Sequence, residues 1–438
     1  MKQKVYFVSL GCSRNLVDSE VMIAKLFEEN LLLTNEVDKA DIFIINTCGF
    51  LKEARNEAYL ILDEIYQNKK NNSKIIITGC MANLFFKEVE KRYEIFSVLS
   101  SGNIDRIIEA INKPTIAIDK LSYLQKKDFS RIVSELNHLA YLKIAEGCSK
   151  ACSFCIIPKI KGPLISRSQK SIIDEFNYLL SKGVFEINLI AQDLLDYGED
   201  INEKNAFLKL INKILRIRKD FWLRLLYVYP DEITDEFIDL IASDSRICKY
   251  LDIPLQHVSD KILVKMNRKT SKKKIYILFE KLQKKIPGIS LRVSFMVGFP
   301  TETDKDFNEL LDFVETFSID HLAVFKYSNE KHSASYKFDG QIPKKIKQNR
   351  FDVLTKKQLD FVQQKNKKLI GKTLIAMIDE YHPQSNILAN ARHQGQTYKV
   401  DSNIIINDVE KVLSFGTLHK VKVTDIAGYD LVGFPLKI

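Results

Sequence analysis

The chain has 438 residues, of which 45% are hydrophobic and 28% charged, and its 66 Lys and Arg against 56 Asp and Glu give a net charge of +10. This length leaves room for about two to four domains, and the balance excludes global disorder because there is enough apolar surface for an ordinary core. No apolar run approaches the roughly 20 residues that cross a bilayer, and the N-terminus carries no signal-peptide pattern, so the expectation is a cytoplasmic protein with no membrane partner.

The first segment repeats one unit three times. Apolar strands predicted at 4–10, 41–46 and 74–78 run into Gly11-Cys12, Thr47-Cys48-Gly49 and Gly79-Cys80, with helical patterns near 17–29, 53–67 and 81–92. Buried strands alternating with helices predict a parallel α/β sheet, where ligands sit at the carboxyl ends of the strands. Cys12, Cys48 and Cys80 lie just past such ends, so three thiolates far apart in sequence can converge. Asn15, Asn46 and Thr47 flank them, either as groups orienting the ligands or as turn and cap residues.

The second segment offers strands at 140–145, 186–191, 222–228, 250–254, 290–297 and 321–327, separated by helical stretches such as 171–182 and 307–317. About six βα units predict an incomplete parallel barrel with its site at the C-terminal mouth. The stretch 342–370 reads as a basic helix, either a solvated face or a nucleic-acid contact. Short strands at 373–378, 387–392, 397–406 and 419–426, punctuated by Gly395, Gly416, Gly428 and Gly433, predict a small antiparallel barrel. That last module carries as many Lys and Arg as Asp and Glu, whereas a grip on RNA backbone calls for a basic surface. The expected domains are 1–125, 135–368 and 369–438.

Seven cysteines in a chain expected in a reducing compartment point to metal or catalytic thiolates, not a disulfide framework. Cys148-Ser-Lys-Ala-Cys152-Ser-Phe-Cys155 follows the first barrel strand directly. A CxxxCxxC loop wraps three thiolates around a cubane iron–sulfur cluster and leaves one iron open. The competing structural zinc site needs a fourth ligand, and no nearby Cys or His supplies one. Cys248, between a helix and a strand, reads as ordinary core.

CxxxCxxC after the first strand of such a barrel is the radical-SAM signature. With the Cys12, Cys48 and Cys80 triad upstream and a small barrel downstream, the chain resembles the radical-SAM methylthiotransferases over essentially its whole length. The resemblance implies an N-terminal methylthiotransferase domain, a central radical-SAM domain and a C-terminal TRAM domain. It also implies two 4Fe–4S clusters, one per triad, with S-adenosylmethionine (SAM) on the open iron of the second. Gly11-Cys-Ser-Arg-Asn-Leu-Val-Asp-Ser-Glu20, Ile45-Asn-Thr-Cys-Gly-Phe50, Cys155-Ile-Ile-Pro-Lys-Ile-Lys-Gly162 and Asp252-Ile-Pro-Leu-Gln-His257 resemble the branch that methylthiolates the β-carbon of an aspartate in ribosomal protein S-twelve. The alternative is the branch acting on N-6-modified adenosine of tRNA. Expected partners are that ribosomal protein or the small ribosomal subunit, an electron donor such as flavodoxin or ferredoxin, and a possible weak RNA contact. A non-catalytic ribosome-binding protein with structural clusters is the reading from another class.

Catalysis is expected to rest on Cys148, Cys152 and Cys155, with Cys12, Cys48 and Cys80 holding the auxiliary cluster. For SAM, motif position nominates Phe154, Gln192 and Asp193, Gly298 and Phe299, and Arg292 for the carboxylate. His257 reads as a site residue or a satisfied buried histidine. Two places depart from the family wording: Thr301 stands where Gly is usual, and 328–335 lacks the usual Glu-Gly-Thr.

Overall fold

The computed structural model describes residues 2–118, 131–407, 409 and 414–436. Its first sheet has six parallel strands: β1 (Lys4–Ser9), β2 (Leu32–Leu33), β3 (Ile42–Thr47), β4 (Lys74–Gly79), β5 (Ser97–Ser100) and β6 (Ile116–Ala117), in spatial order β2-β1-β3-β4-β5-β6. The central strand β3 is buried along its whole length, as an apolar run covered on both faces must be. Helices α1 (Ser13–Glu28), α2 (Lys52–Asn68) and α3 (Cys80–Glu90) follow β1, β3 and β4. Strands β2, β5 and β6 escape the sequence reading because they are two to four residues long, too short to show a period. The expected domain end at 125 lies outside the described residues.

The second sheet holds all six expected strands. They are β7 (Leu139–Lys143), then, after the short antiparallel pair β8 (Ala145–Glu146) and β9 (Ile165–Ser166), β10 (Glu186–Ile190), β11 (Trp222–Leu225), β12 (Ile247–Gln256), β13 (Ser290–Val297) and β14 (His321–Lys326). Their order, β14-β13-β12-β11-β10-β7, is all parallel and open, a partial (β/α) barrel whose core is the largest apolar cluster of the chain.

The third unit is a closed barrel of β15 (Thr373–Tyr381), β16 (Ala389–Arg392), β17 (Ile404–Ile406), β18 (Thr417–Ala427) and β19 (Asp430–Pro435). Two details differ from expectation. The strand expected over 397–406 survives only as β17, because Asp401 Oδ2 accepts from the Thr397 N–H and Asp401 N donates back to Thr397, which folds 397–401 into a turn. The fifth strand, β19, closes the barrel by pairing parallel with β17, so the barrel is not antiparallel throughout. Four charges in the module's balance, Asp408, Glu410, Lys411 and Lys437, lie outside the described residues.

The small barrel is fastened to the N-terminal half of the large one by buried charges. Arg392 grips Asp379 with two bonds of 2.6 and 2.9 Å and reaches Glu186 on β10 at 2.9 Å, while the other oxygen of Glu186 takes Arg224 of β11 at 2.7 Å. Arg392, Glu186 and Arg224 have no solvent exposure. Asp401 receives Arg292 of β13 at 2.8 Å and the hydroxyl of Tyr250 at 2.9 Å. The basic helix Lys344–Lys367 turns one narrow face inward. Arg350 pairs with Glu302 and Asp304, Lys357 with Glu315 and Lys365 with Asp320, and Leu354 and Val362 are buried. Replacing Arg392 by Met leaves Glu186 with Arg224 alone and Asp379 with His138 alone, each short of a buried charge partner, so stability should fall by about 2–4 kcal/mol in urea unfolding. An unchanged midpoint would mean the small barrel is held by its apolar contacts alone.

Candidate functional site

Strands β1, β3 and β4 end level with one another: Ser9 pairs with Asn46, Asn46 with Thr78, and Thr47 with Gly79. The three cysteines that follow are therefore carried to neighbouring points at one edge of the sheet. Cys12 is the N-cap of α1 and Cys80 the first residue of α3, positions where helix dipoles favour thiolate. The cradle is tight. Gly11 has φ +93°, and a Cβ there would lie 2.8 Å from that of Cys48, so only glycine lets the Cys12 and Cys48 loops meet. Asn15 ties the three loops together. Its Nδ2 donates to Leu10 and Thr47 carbonyls at 3.1 and 2.9 Å, and its Oδ1 accepts from Cys80 Sγ at 3.6 Å. Asn46 braces α1 through Asn15 O and Ser19 Oγ, and Thr47 holds the Thr78 carbonyl.

Burial pushes the Cys80 thiol up to about 12 and raises Cys48 as well. Cys12 goes the other way: burial opposes its thiolate, but the Arg14 guanidinium, the Asn15 and Arg14 N–H groups and Lys161 outweigh it. A cationic cluster would give all three the counter-charge that burial denies them.

The second triad lies beyond β7 in a loop flanked by the β8–β9 pair. Gly147 is forced by a positive φ of +82° and by the Pro163 carbonyl, 2.0 Å from where a Cβ would stand. The Ile157 N–H donates to Cys155 Sγ at 3.4 Å, and Arg268, stacked 3.9 Å from the Tyr229 ring centre, brings NH1 to 3.9 Å from Cys152 Sγ. Donors aimed at sulfur are what an electron-rich iron–sulfur cluster needs. Burial raises Cys148 and pushes Cys155 up to about 12. Among the described residues no three His, Cys, Asp or Glu side chains gather closely enough for a single metal ion, so neither triad is shaped as a mononuclear zinc site. Cys248 is core, as expected.

A buried charge network that the sequence reading did not find lies between the triads. Lys143 of β7 binds Asp18 of α1 at 2.5 Å and Glu146 of β8 at 2.8 Å, and Lys161 approaches Glu146 at 3.4 Å and Asp18 at 3.8 Å. All four are at most 5% exposed. Glu146 is held well below the usual carboxylate range by the two ammonium groups, which outweigh its burial. A second bridge runs from Glu20 of α1 through Arg131 to Glu175 and Arg167. Arg14 reaches from α1 to the Ala191 carbonyl at 2.7 Å. The available signal was the string Asn15, Asp18, Ser19, Glu20: polar residues at positions of α1 that all prove buried.

The SAM candidates divide. Phe154 lines a cavity of about 490 Å³ with Phe50, Gln256, Met296, Phe325 and Glu330. Gln192 donates to Glu146 at 2.5 Å, and its own carbonyl oxygen is buried without a partner. Asp193 instead secures the cysteine loop: Lys150, inside CxxxCxxC, pairs with it at 3.0 Å and with Asp196 at 2.8 Å. Gly298, at φ +74°, and Phe299 give their N–H groups to Glu302 Oε2 at 2.7 and 3.2 Å. The Phe299 ring is fully buried against Tyr327 and Phe338, which leaves it no face for a ligand. Arg292 is committed to Asp401 and lies near the start of β13, away from the cysteine end, so the expected role on the SAM carboxylate does not fit it. The departure at 328–335 reaches the first domain, where Glu330 pairs with Arg55 at 2.8 Å.

Backbone strain marks the barrel mouth. Tyr227, Gln256 and Thr301, at or beyond the ends of β11, β12 and β13, have φ of +65°, +69° and +69°. For Thr301 this explains why glycine is usual at that place. Thr301→Gly should raise stability by about 0.5–1 kcal/mol, the left-handed strain relieved less the added chain entropy. A lower melting temperature would show that Thr301 contacts outweigh the strain. His257 is a buried histidine satisfied on one side only: Nδ1 accepts from the Val258 and Ser259 N–H groups, Nε2 is buried without a hydrogen-bond partner among the described residues, and burial lowers its pKa to about 3. The unfolded chain takes up that proton near pH 6.5 and the folded one does not. Stability is therefore full above about 6.5 and falls on acidification by up to about 1.4 kcal/mol per pH unit for this group. His257→Asn should flatten that part of the pH–stability curve, and an unchanged slope would refute the assignment.

Three family models match in series: Uncharacterized protein family UPF0004 over 4–100, the Radical SAM superfamily over 142–314 and the TRAM domain over 370–435. Curated relatives align over nearly the whole chain. One from Protochlamydia amoebophila is 44% identical, covering 98% of this chain and 92% of its own length. One from Chlamydia caviae is 46% identical (100% and 96%), and one from Syntrophotalea carbinolica 36% (99% and 96%). All three are named ribosomal protein uS12 methylthiotransferase RimO. Among solved structures, the radical SAM methyltransferase TsrM from Kitasatospora setae, with tryptophan and a SAM analogue bound, matches with TM-score 0.55 at 16% identity over 74% of this chain and 73% of its own. The cobalamin-dependent radical enzyme OxsB matches with TM-score 0.51 at 15% identity, over 83% and 56%. At these identities both speak to fold alone.

Proposed function

The chain belongs to the RimO family of radical-SAM methylthiotransferases, and from that premise we propose that it attaches a methylthio group to the β-carbon of an aspartate in ribosomal protein uS12. One observation carries the reading. Two sets of three cysteines, each at the carboxyl end of a parallel sheet, are held against each other by one helix and one buried charge network. Cys12, Cys48 and Cys80 would hold the auxiliary 4Fe–4S cluster, and Cys148, Cys152 and Cys155 the cluster that takes SAM. When bound, these groups supply sulfur and one-electron chemistry able to break an unactivated C–H bond, which no side chain here can do at its own pKa.

The residues of the chain orient and insulate. Lys150, Asp193 and Asp196 fix the CxxxCxxC loop. Arg268 places positive charge beside Cys152. Lys143, Lys161, Asp18 and Glu146 set the spacing between the two ligand sets. Phe154 and Gln192 remain the best-placed contacts for SAM. Gly298 would approach it through backbone, whereas Phe299 and Arg292 act from behind. A flavodoxin- or ferredoxin-like protein would supply electrons. Lys344, Lys345, Lys356, Lys367 and Lys368, free of carboxylate partners among the described residues, could meet ribosomal RNA. Cytoplasmic residence fits the substrate, and no helix among the described residues is long and apolar enough to cross a membrane.

The test offers uS12 and total tRNA together to the cluster-loaded protein with SAM, reductant and sulfide under anaerobic conditions, read by mass spectrometry. A methylthio adduct on a uS12 aspartate is expected; an adduct on tRNA adenosine alone would move the substrate to RNA. Cys152→Ser should bind about half the wild-type iron and lose reductive SAM cleavage. Cys80→Ser should also lose half the iron yet still cleave SAM without forming the methylthio product. If Cys80→Ser made product at the wild-type rate, the auxiliary role would be wrong.

A further inference from the structure

If the acceptor is an aspartate, as proposed above, its carboxylate is one bond from the carbon that reacts. Whatever place that carbon takes between the two cysteine sets, the carboxylate must lie directly beside it. A carboxylate withdrawn from water there requires a cation with hydrogen bonds to give.

Four cations border the two ligand sets, and three are taken: Arg268 is spent on Cys152 Sγ, the Pro254 carbonyl and the Tyr229 ring. Lys143 and Lys161 are balanced by Asp18 and Glu146. Arg14 is not. It stands two residues after Cys12, in the first turn of α1, and stretches across the domain boundary to donate NH1 to the Ala191 carbonyl just beyond β10, at the barrel mouth. Its guanidinium carbon lies 4.9 Å from the centre of the Tyr227 ring, at one of the three strained residues of that mouth. Among the described residues this carbonyl is its one hydrogen-bond acceptor, and no carboxylate lies within ion-pair distance. The nearest candidates are engaged elsewhere: Glu146 with two lysines and Gln192, Asp252 with Arg292 at 3.7 Å. The side chain is only half-buried. It is thus an anchored guanidinium with most of its N–H groups unspent, placed beside a ligand of one triad and at the rim that carries the other.

We propose that Arg14 receives the acceptor aspartate's carboxylate and makes the enzyme selective for aspartate over its uncharged isostere asparagine. The planar fork suits a carboxylate held by two parallel bonds, and fixing it fixes the adjacent β-carbon. The rival role is to offset the negative charge of a thiolate-bound cluster at Cys12, which would leave substrate choice untouched.

The experiment uses cluster-loaded full-length protein and two probes: uS12, and uS12 carrying asparagine in place of the acceptor aspartate. Binding of each is measured anaerobically by calorimetry for wild type, Arg14→Lys and Arg14→Gln, together with SAM affinity, iron content and the EPR spectra of the reduced clusters. Wild type should prefer the aspartate form by on the order of tenfold or more. Arg14→Gln should bring the ratio near unity and raise KM for uS12 more than it lowers kcat, and Arg14→Lys should keep part of the preference. SAM affinity and iron content should hold, whereas the auxiliary cluster's EPR signal should move with the lost charge beside Cys12 under either role. If Arg14→Gln keeps the preference, the proposal is overturned and the charge-offset role stands. A wild-type enzyme that labels tRNA but not uS12 overturns the acceptor reading and this role together. A wild-type enzyme that labels uS12 while binding both forms equally overturns this role alone.

Discussion

Lys143 and Lys161, set against Asp18 and Glu146, are the contact on which the rest of the molecule depends. Four charges at most 5% exposed would be ruinous singly and are tolerable only as a set, because desolvation consumes most of what pairing returns. Their net contribution to stability is small; what they impose is position. Asp18 is on α1, one turn and a half beyond Cys12, whereas Glu146 is two residues before Cys148. Satisfying the four together therefore fixes one triad relative to the other. Hydrogen abstraction followed by sulfur transfer to the same carbon needs both within reach of it, and an ångström of error is costly in such chemistry.

The same economy governs the far end of the barrel. Arg392, Arg224 and Arg292 would be natural anion-binding groups if free, yet each is spent on Glu186, Asp379 or Asp401. The small barrel thereby blocks the N-terminal half of the open barrel and leaves the cysteine end for ligands. Arg392, Asp379 and Asp401 of the small barrel are thus matched within that contact, not displayed to a polyanion. The contact also explains why Arg292 misleads. A guanidinium on a barrel strand suits a carboxylate wherever it stands, and only strand depth separates a ligand contact at the mouth from a structural clamp below it.

The architecture was legible because it is periodic. Strand-end cysteines, six barrel strands and the CxxxCxxC loop announce themselves through apolar runs and spacing, and Cys12, Cys48, Cys80 and the Cys148–Cys155 loop all follow strand ends as the sequence places them. The failures are of two kinds. Elements of two or three residues, such as β2, β6 and β17, carry no period to read. Pairings across domains, such as Glu20 with Arg131 or Glu330 with Arg55, have no local signature because each partner alone looks like a solvated charge.

Helix α1 shows why the second failure matters more. By period alone Asn15, Asp18, Ser19 and Glu20 interrupt an otherwise apolar helix face, and the bland reading assigns them to solvent. In the fold every one is buried and every one is bonded: Asn15 to two loops and Cys80, Asp18 to two lysines, Ser19 to Ser9 and Asn46, Glu20 to Arg131 and Ser134. A polar residue on a face that must be buried is a demand for a partner, and four in six residues demand several. Arg14 begins that run and is the member whose demand the protein itself leaves largely unmet, as expected of a group kept for something that arrives from outside.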